Sequence, residues 1–252
     1  MITGESNTTG DSSTTGDGGI TRAGGITGDG GITGDGGKTG AGGDEAAIAD
    51  ELAPRPVVEA HTAYAGLIWD IASDRVDLGH AQVTREYVRH TGAVGVLALD
   101  TEDRVLLVNQ YRHPVGYRLW ELPAGLLDVA GEPPVDCARR ELDEEADLRA
   151  ATWHTLIDWF NSPGGSDEAI RVFLARDLSE VPPAERHVRT HEEAEIVARW
   201  VPLDEAHDAV LAGQVHNPTA VVGILTAHAA RARDWAGLRP ADAPWPQHKA
   251  YR

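Results

Sequence analysis

The sequence predicts an α+β fold, an α/β/α sandwich around a mixed sheet, preceded by a small antiparallel β domain. Three observations predict it. Strand-like runs and helical stripes follow one another in irregular order, which argues against a doubly wound sheet. No Walker loop occurs, and no G-x-G-x-x-G stands between a strand and a helix; the glycine-rich N-terminal stretch matches such spacings by composition alone. Finally, 41% of the 252 residues are hydrophobic, enough for one good-sized core or two small ones.

Taken in order, residues 1–52 come first. Sixteen of the 28 glycines precede Asp44, in near-repeats of six such as GGITGD. A β-helix needs regular apolar positions in well-packed coils, and here only Ile20, Ile26 and Ile32 recur, so this stretch reads as a disordered tail without a chemical role. Residues 53–91 alternate loosely and are rich in β-formers, predicting a small antiparallel sheet that turns near Ser73-Asp74 and at Gly79. The main domain is expected over 92–236. Its apolar runs AVGVLALD and RVLLVNQY, joined by TED, form a buried hairpin or neighbouring strands of a larger sheet. EPPVDCARRELDEEAD opens on two prolines, which a first helical turn accepts, and then sets Val135, Ala138, Leu142 and Ala146 at helical spacing toward the core. Strands are expected at 151–160, 169–175 and 195–201. Two helices follow, near 203–212 and 217–235, opened by Asp204 and by Asn217-Pro218. Residues 237–252 are proline-rich and read as an extended or loose extension.

A formal net charge of -18 makes counterion-driven binding to nucleic-acid backbones unfavourable, so an anionic substrate must be held by local arginines or by metal. The single cysteine, Cys137, excludes an intrachain disulfide framework and a cysteine-rich zinc site, in keeping with a reducing cytoplasm. No apolar run approaches the roughly 20 residues that span a bilayer, and the N-terminus lacks the basic-then-apolar order of a secretory signal. A soluble cytoplasmic protein that binds neither nucleic acid nor membrane is expected.

The stretch RRELDEEADL is costly. It sets Glu141, Asp143, Glu144, Glu145 and Asp147 on one short helix, where like charges three or four apart repel by roughly 0.2–0.5 kcal/mol per pair. Glu141, Glu144 and Glu145 can converge on one side, and an oxygen-rich cluster of that kind suits Mg²⁺ or Mn²⁺. Spacing alone leaves a solvated acidic face as the alternative. Arg140 adjoins the cluster and can hold a carboxylate in a bidentate fork, and the glycine-containing loop ELPAGLLDVAGE offers backbone carbonyls.

GLLDVAGEPPVDCARRELDEEADL resembles the Nudix box: Glu132, seven residues, then Arg140, Glu141, Leu142, Glu144, Glu145 and Leu148 fall in place. Two positions depart. Gly125 stands seven residues before Glu132 where the box has six, and Asp147 occupies the box's last glycine, a position that needs a left-handed backbone which Asp tolerates less well than Gly. The resemblance spans about residues 57–232. YRHPVGYRLWELPAG, NSPGGSDEAIRVFLA and THEEAEI point to the ADP-ribose pyrophosphatase branch.

That resemblance implies a Nudix α/β/α sandwich and metal-dependent hydrolysis of the pyrophosphate bond of ADP-ribose to AMP and ribose 5-phosphate. It implies Mg²⁺ or Mn²⁺ on Glu141, Glu144, Glu145 and the Ala124 carbonyl, with Arg140 in the catalytic group and Glu132 structural. A general base comes from the loop 177–195, first Glu192 and then Glu193, which otherwise are solvated acids. Arg112 meets the diphosphate, Arg85 and Glu86 the adenosine part, and Ser162, Gly164, Gly165 and Glu168 the terminal ribose; their plain reading is a glycine turn with polar flanks. Trp69 or Trp120 stacks on adenine, unless both belong to core or interface. The N-terminal β domain pairs two chains as a domain-swapped homodimer. The rival readings are a hydrolase of another nucleoside diphosphate sugar and a non-catalytic sensor that binds ADP-ribose. His187 and His191 lack the H-E-x-x-H pattern of a zinc site, and Cys137 is a packing residue.

Overall fold

Three sheets, where the sequence suggests two, carry the strands of the computed structural model, which describes residues 48–189 and 195–251. Residues 48–56 are exposed and irregular. Strands β1 (Val57–Ala65), β2 (Asp70–Asp77) and β3 (Gln82–Arg89) then form an antiparallel meander in the order β1-β2-β3. Its second turn closes at Gly79, whose φ of 86° and amide bond to the Asp77 carboxylate (2.7 Å) suit glycine after aspartate. The first turn does not lie at Ser73-Asp74. It lies at 66–69, closed by the Gly66 amide on the Trp69 carbonyl at 3.1 Å. Ser73 and Asp74 run on inside β2 because that strand is paired on both sides, and the Tyr87 hydroxyl donates to Asp74 at 3.1 Å.

The main domain is built from β4 (Ala93–Ala98), β5 (Arg104–Arg112), β6 (Tyr117–Glu121), β7 (Ala124–Leu126), α1 (Pro134–Ala146), β8 (Leu148–Phe160), β9 (Ala169–Glu180), β10 (Val197–Pro202), α2 (Leu203–Leu211), α3 (Pro218–Arg231) and β11 (Arg239–Pro240). The five-stranded sheet has the order β11-β8-β9-β4-β7 and is mixed, with β4 and β9 parallel. The other sheet is β10-β5-β6. The apolar runs expected as a hairpin or as neighbouring strands therefore separate into two sheets, joined where Leu99 bridges Val105 and the Asp100 amide donates to the Arg104 carbonyl.

Strand alternation sorts the core onto the two faces of the five-stranded sheet. Val94, Val96, Ala98, Phe173 and Ala175 pack with Cys137, Ala138 and Leu142 of α1. Leu97, Val172 and Leu174 pack on the other side with Leu107 of β5, Leu203 and Ala206 of α2, and Ala220, Ile224 and Ala227 of α3. The α/β/α layering is thus the expected one. α3 opens as anticipated, with the Asn217 side chain accepting from the Ala220 amide at 2.9 Å. α2 opens at Pro202, and Asp204 sits inside its first turn, ion-paired with Arg231. Of the extension expected as loose over 237–252, the described part, 237–251, is packed: Trp245 and His248 are buried.

Candidate active site

α1 carries the acidic residues because its opposite face is held by the core. Pro134 occupies its first turn, Ala138 and Leu142 are fully buried, and the chain leaves the helix through Asp147 at φ 54°, ψ 36°. The left-handed backbone expected at 147 is there.

The three box glutamates do not converge as one cluster. Arg140 donates to both oxygens of Glu132 (3.2 Å each), to Glu141 (2.5 Å) and to Glu144 (3.3 Å). Glu145 turns instead to the β7 backbone and accepts from the Ala124 amide at 3.0 Å. Among the described residues no three His, Cys, Asp or Glu side chains stand so that they hold an ion together. Electrostatics favours the parting: Arg140 donates to Glu141 and Glu144 and offsets part of their charge. Its bonds to Glu132 raise its own pKa, and they hold the Glu132 carboxyl below the usual range. The bonds from Arg140 to Glu132, Glu141 and Glu144 thus all go to side chains of its own motif.

The donor set still fits a hard divalent cation. A Cβ on Gly125 would overlap the Glu141 carboxylate, so this glycine is the cradle into which Glu141 fits. Glu141 and Glu145 thus meet the same two-residue backbone, Ala124–Gly125, and every candidate donor there is oxygen. Cys137 offers no competing ligand: burial, with Glu141 beside it, pushes its thiol up to about 12.

Ala124 and Gly125 also line a cavity of about 540 Å³ whose walls include Trp69, His90, Arg112, Glu121, Asn161 and Glu168. The Arg112 guanidinium forks onto the buried Glu121 at 2.9 and 2.7 Å. Glu168 accepts from the Asn161 side chain at 2.7 Å, and the His90 Nε2 lies 3.4 Å from its other oxygen. His90 Nδ1 accepts from the Gly92 amide at 2.9 Å, which puts the ring proton on Nε2. Burial lowers the His90 pKa, against the opposing pull of Glu168 and Asp167. Trp69 stacks on the His90 ring with centroids 4.1 Å apart.

The structure thus gathers Arg112, Glu168, Ala124, Glu141 and Glu145 of the predicted residues. Ser162, Gly164 and Gly165 form the turn beside the cavity, where the Ser162 carbonyl accepts from the Gly165 amide at 2.9 Å and a side chain at either glycine would meet open space. Arg85 and Glu86 are exposed on β3 and are not among the residues that line this cavity. Trp120 is half-buried and packs against the core. Glu192, Glu193 and His191 lie outside the described residues. Sequence reasoning missed His90, Asn161 and Glu121. Asn161 adjoins the SPGG turn and Glu121 stands in the stretch WELPAG, so both were within its reach, whereas nothing local marks His90.

Residues 89–220 match the family model described as the NUDIX domain. An ADP-ribose pyrophosphatase of Mycobacterium tuberculosis is 47% identical over 75% of this chain and 89% of its own. A methanol dehydrogenase activator of Bacillus methanolicus is 32% identical over 66% of this chain and 89% of its own. A solved structure described as an ADP compounds hydrolase superposes with a TM-score of 0.61 at 16% identity, covering 73% of this chain and 98% of that one, which shows the shared fold. The match extends over more than half of the chain, and the chain belongs to the Nudix family.

Proposed function

We propose that this Nudix enzyme hydrolyses the pyrophosphate bond of ADP-ribose, giving AMP and ribose 5-phosphate, with Mg²⁺ or Mn²⁺ held by Glu141, Glu145, the Ala124 carbonyl and, once released from Arg140, Glu144. One observation carries the reading: Glu141 and Glu145 meet the Ala124–Gly125 backbone at the wall of a cavity that also holds Arg112 and Glu168. The 47% identity to an ADP-ribose pyrophosphatase supports the choice of substrate. When bound, the divalent ion neutralises the diphosphate and acidifies the attacking water.

The chain's own residues do the rest. Arg112, aligned by Glu121, offers a cation to the diphosphate. Glu168, set between Asn161 and His90, accepts a hydroxyl of the terminal ribose. Arg140 keeps Glu132, Glu141 and Glu144 in place, and Trp69, stacked on His90, lines the same cavity. Glu192, then Glu193, takes the proton of the attacking water. Arg85 and Glu86 reach the adenosine part from a second chain in a domain-swapped homodimer, a reading that their exposure on β3 supports. A cytoplasmic location belongs to the same reading; among the described residues no helix is long and apolar enough to cross a membrane.

Assay of ADP-ribose with and without Mg²⁺, with product identification, tests the reaction, and kcat/KM across a panel of nucleoside diphosphate sugars tests the substrate. A clear preference for another sugar nucleotide overturns the assignment. Glu145→Gln is expected to lower kcat about a hundredfold or more without loss of fold; unchanged turnover removes the metal from α1.

A further inference from the structure

The C-terminal segment Trp245–Tyr251 packs behind the cavity, on loops that the mechanism above leaves without support. Trp245 is 2% exposed and His248 is 4% exposed. The Arg171 guanidinium lies over the Trp245 ring at 4.7 Å and donates to the carbonyls of Ala243 (2.7 Å) and Pro244 (3.1 Å), which fastens the start of the segment. His248 Nδ1 accepts from the Ala250 amide at 3.2 Å, which leaves Nε2 to donate to the Thr91 carbonyl at 2.7 Å. Gly92 takes φ +87°, and a Cβ there would overlap the His248 ring. The Lys249 ammonium lies 2.5 Å from one oxygen of Asp167, whose other oxygen accepts the His90 amide at 2.6 Å. Lastly, the Tyr251 hydroxyl donates to the Glu132 carbonyl at 3.1 Å.

These contacts converge on two loops that come from different parts of the chain. Residues 90–92 join β3 to β4, and residues 161–168 join β8 to β9. The cavity needs one side chain from each, His90 and Glu168, at a fixed separation. Backbone bonds between Val88 and residues 165 and 167 hold the loops on one side, and His248 and Lys249 hold them on the other.

We propose that the segment Trp245–Tyr251 is a positioning part of the substrate site: His248 and Lys249 set the 90–92 backbone and Asp167, and so fix His90 and Glu168 to receive the hydroxyl-bearing, non-adenine end of the substrate. The inference rests on reading the cavity as the substrate's seat. It assigns the extension to substrate binding and not to the chemical step, because the bonds of His248 and Lys249 go to Thr91 and Asp167, on the two loops that carry His90 and Glu168.

The test uses the full chain with Lys249→Ala, Lys249→Arg, His248→Gln and, as a separate control, Glu168→Gln. Lys249→Ala and His248→Gln are expected to raise KM for ADP-ribose about fivefold with kcat and the Mg²⁺ concentration for half-activation unchanged, and Lys249→Arg to restore KM. If Glu168→Gln raises KM while Lys249→Ala and His248→Gln do not, the inference falls and the cavity reading stands. If Glu168→Gln leaves KM unaltered, the cavity reading falls and takes the inference with it. Lys249 is exposed, so Lys249→Ala decides the matter alone should His248→Gln fail to fold.

Discussion

Asp147 is where this chain leaves the pattern of its own motif, and its surroundings say what it gains. A residue with a Cβ held at φ 54° bears a cost of roughly 1–2 kcal/mol, which Asp tolerates better than most. In return its carboxylate accepts from Arg189 at 2.6 Å, and the same guanidinium donates to the Glu144 carbonyl at 2.9 Å. α1 has no basic residue in its last turn, so Arg189 supplies from another segment the cation that the helix C-terminus favours. Asp147→Ala is expected to lower stability by about 1–2 kcal/mol, whereas Asp147→Gly relaxes the backbone, loses only the ion pair, and falls between the two in a urea midpoint. Equal midpoints for the alanine variant and the parent would remove the pair from the account. The backbone state at 147 was legible from the motif; the partner was not, because Arg189 is distant in sequence and only the fold brings it back. His90 makes a second case at this scale. Burial lowers its folded pKa below the ordinary 6.5, so the unfolded chain binds the proton more readily. The stability its neutral ring contributes is complete above pH 6.5 and is lost as pH falls through the folded value. A Tm series from about pH 7.5 to 5.5 should therefore fall less steeply in His90→Gln than in the parent. Parallel curves would mean that another group carries the titration.

Among the elements, α1 was the most legible and β7 the least. The stripe of Val135, Ala138, Leu142 and Ala146 faces the core as its spacing requires, because a thirteen-residue helix gives the period room to show. β7 has three residues, too few for any period, and read as loop. Yet the meeting of these two elements makes the site. Gly125 of β7 leaves room for Glu141 of α1, and the obstacle to a Cβ there is the end of a flexible side chain, not backbone. Gly125→Ala should therefore leave β7 in place and displace the carboxylate. The expected outcome is a Tm close to the parent's, with Mn²⁺ binding weakened and kcat reduced, each by about tenfold or more. Calorimetric titration of Mn²⁺ and a thermal melt separate this from simple misfolding; unweakened Mn²⁺ binding would show that Glu141 is not held by this contact. Leu142→Ala is the converse variant. It hollows the core under the helix and is expected to cost about 2–5 kcal/mol.

For the whole molecule, the order of the longer elements was readable along the chain, but the short strands β6, β7 and β11 and the division into three sheets were not. Division depends on pairings between distant segments, such as parallel β4 with β9, that leave no local signature. The N-terminal meander carries the remaining question of scale. β1 is the edge of its sheet and is exposed over its full length, and Val57, Val58 and Tyr64 on it, with Leu67 and Ile68 in the following turn, are exposed apolar residues. A long apolar edge strand invites pairing unless a partner covers it. The homodimer proposed above would cover that surface and bring Arg85 and Glu86, exposed on β3, to a partner's substrate. Sedimentation equilibrium is accordingly expected to give the mass of two chains, and Tyr64→Asp combined with Ile68→Asp to give one, with circular dichroism unchanged. The single chain should also lose catalytic efficiency by about tenfold or more, because two contacts to the adenosine part leave with the partner. A parent that sediments as one chain would overturn the dimer. A dissociated variant with full kcat/KM would keep the dimer but remove Arg85 and Glu86 from the site, leaving substrate recognition to residues of one chain.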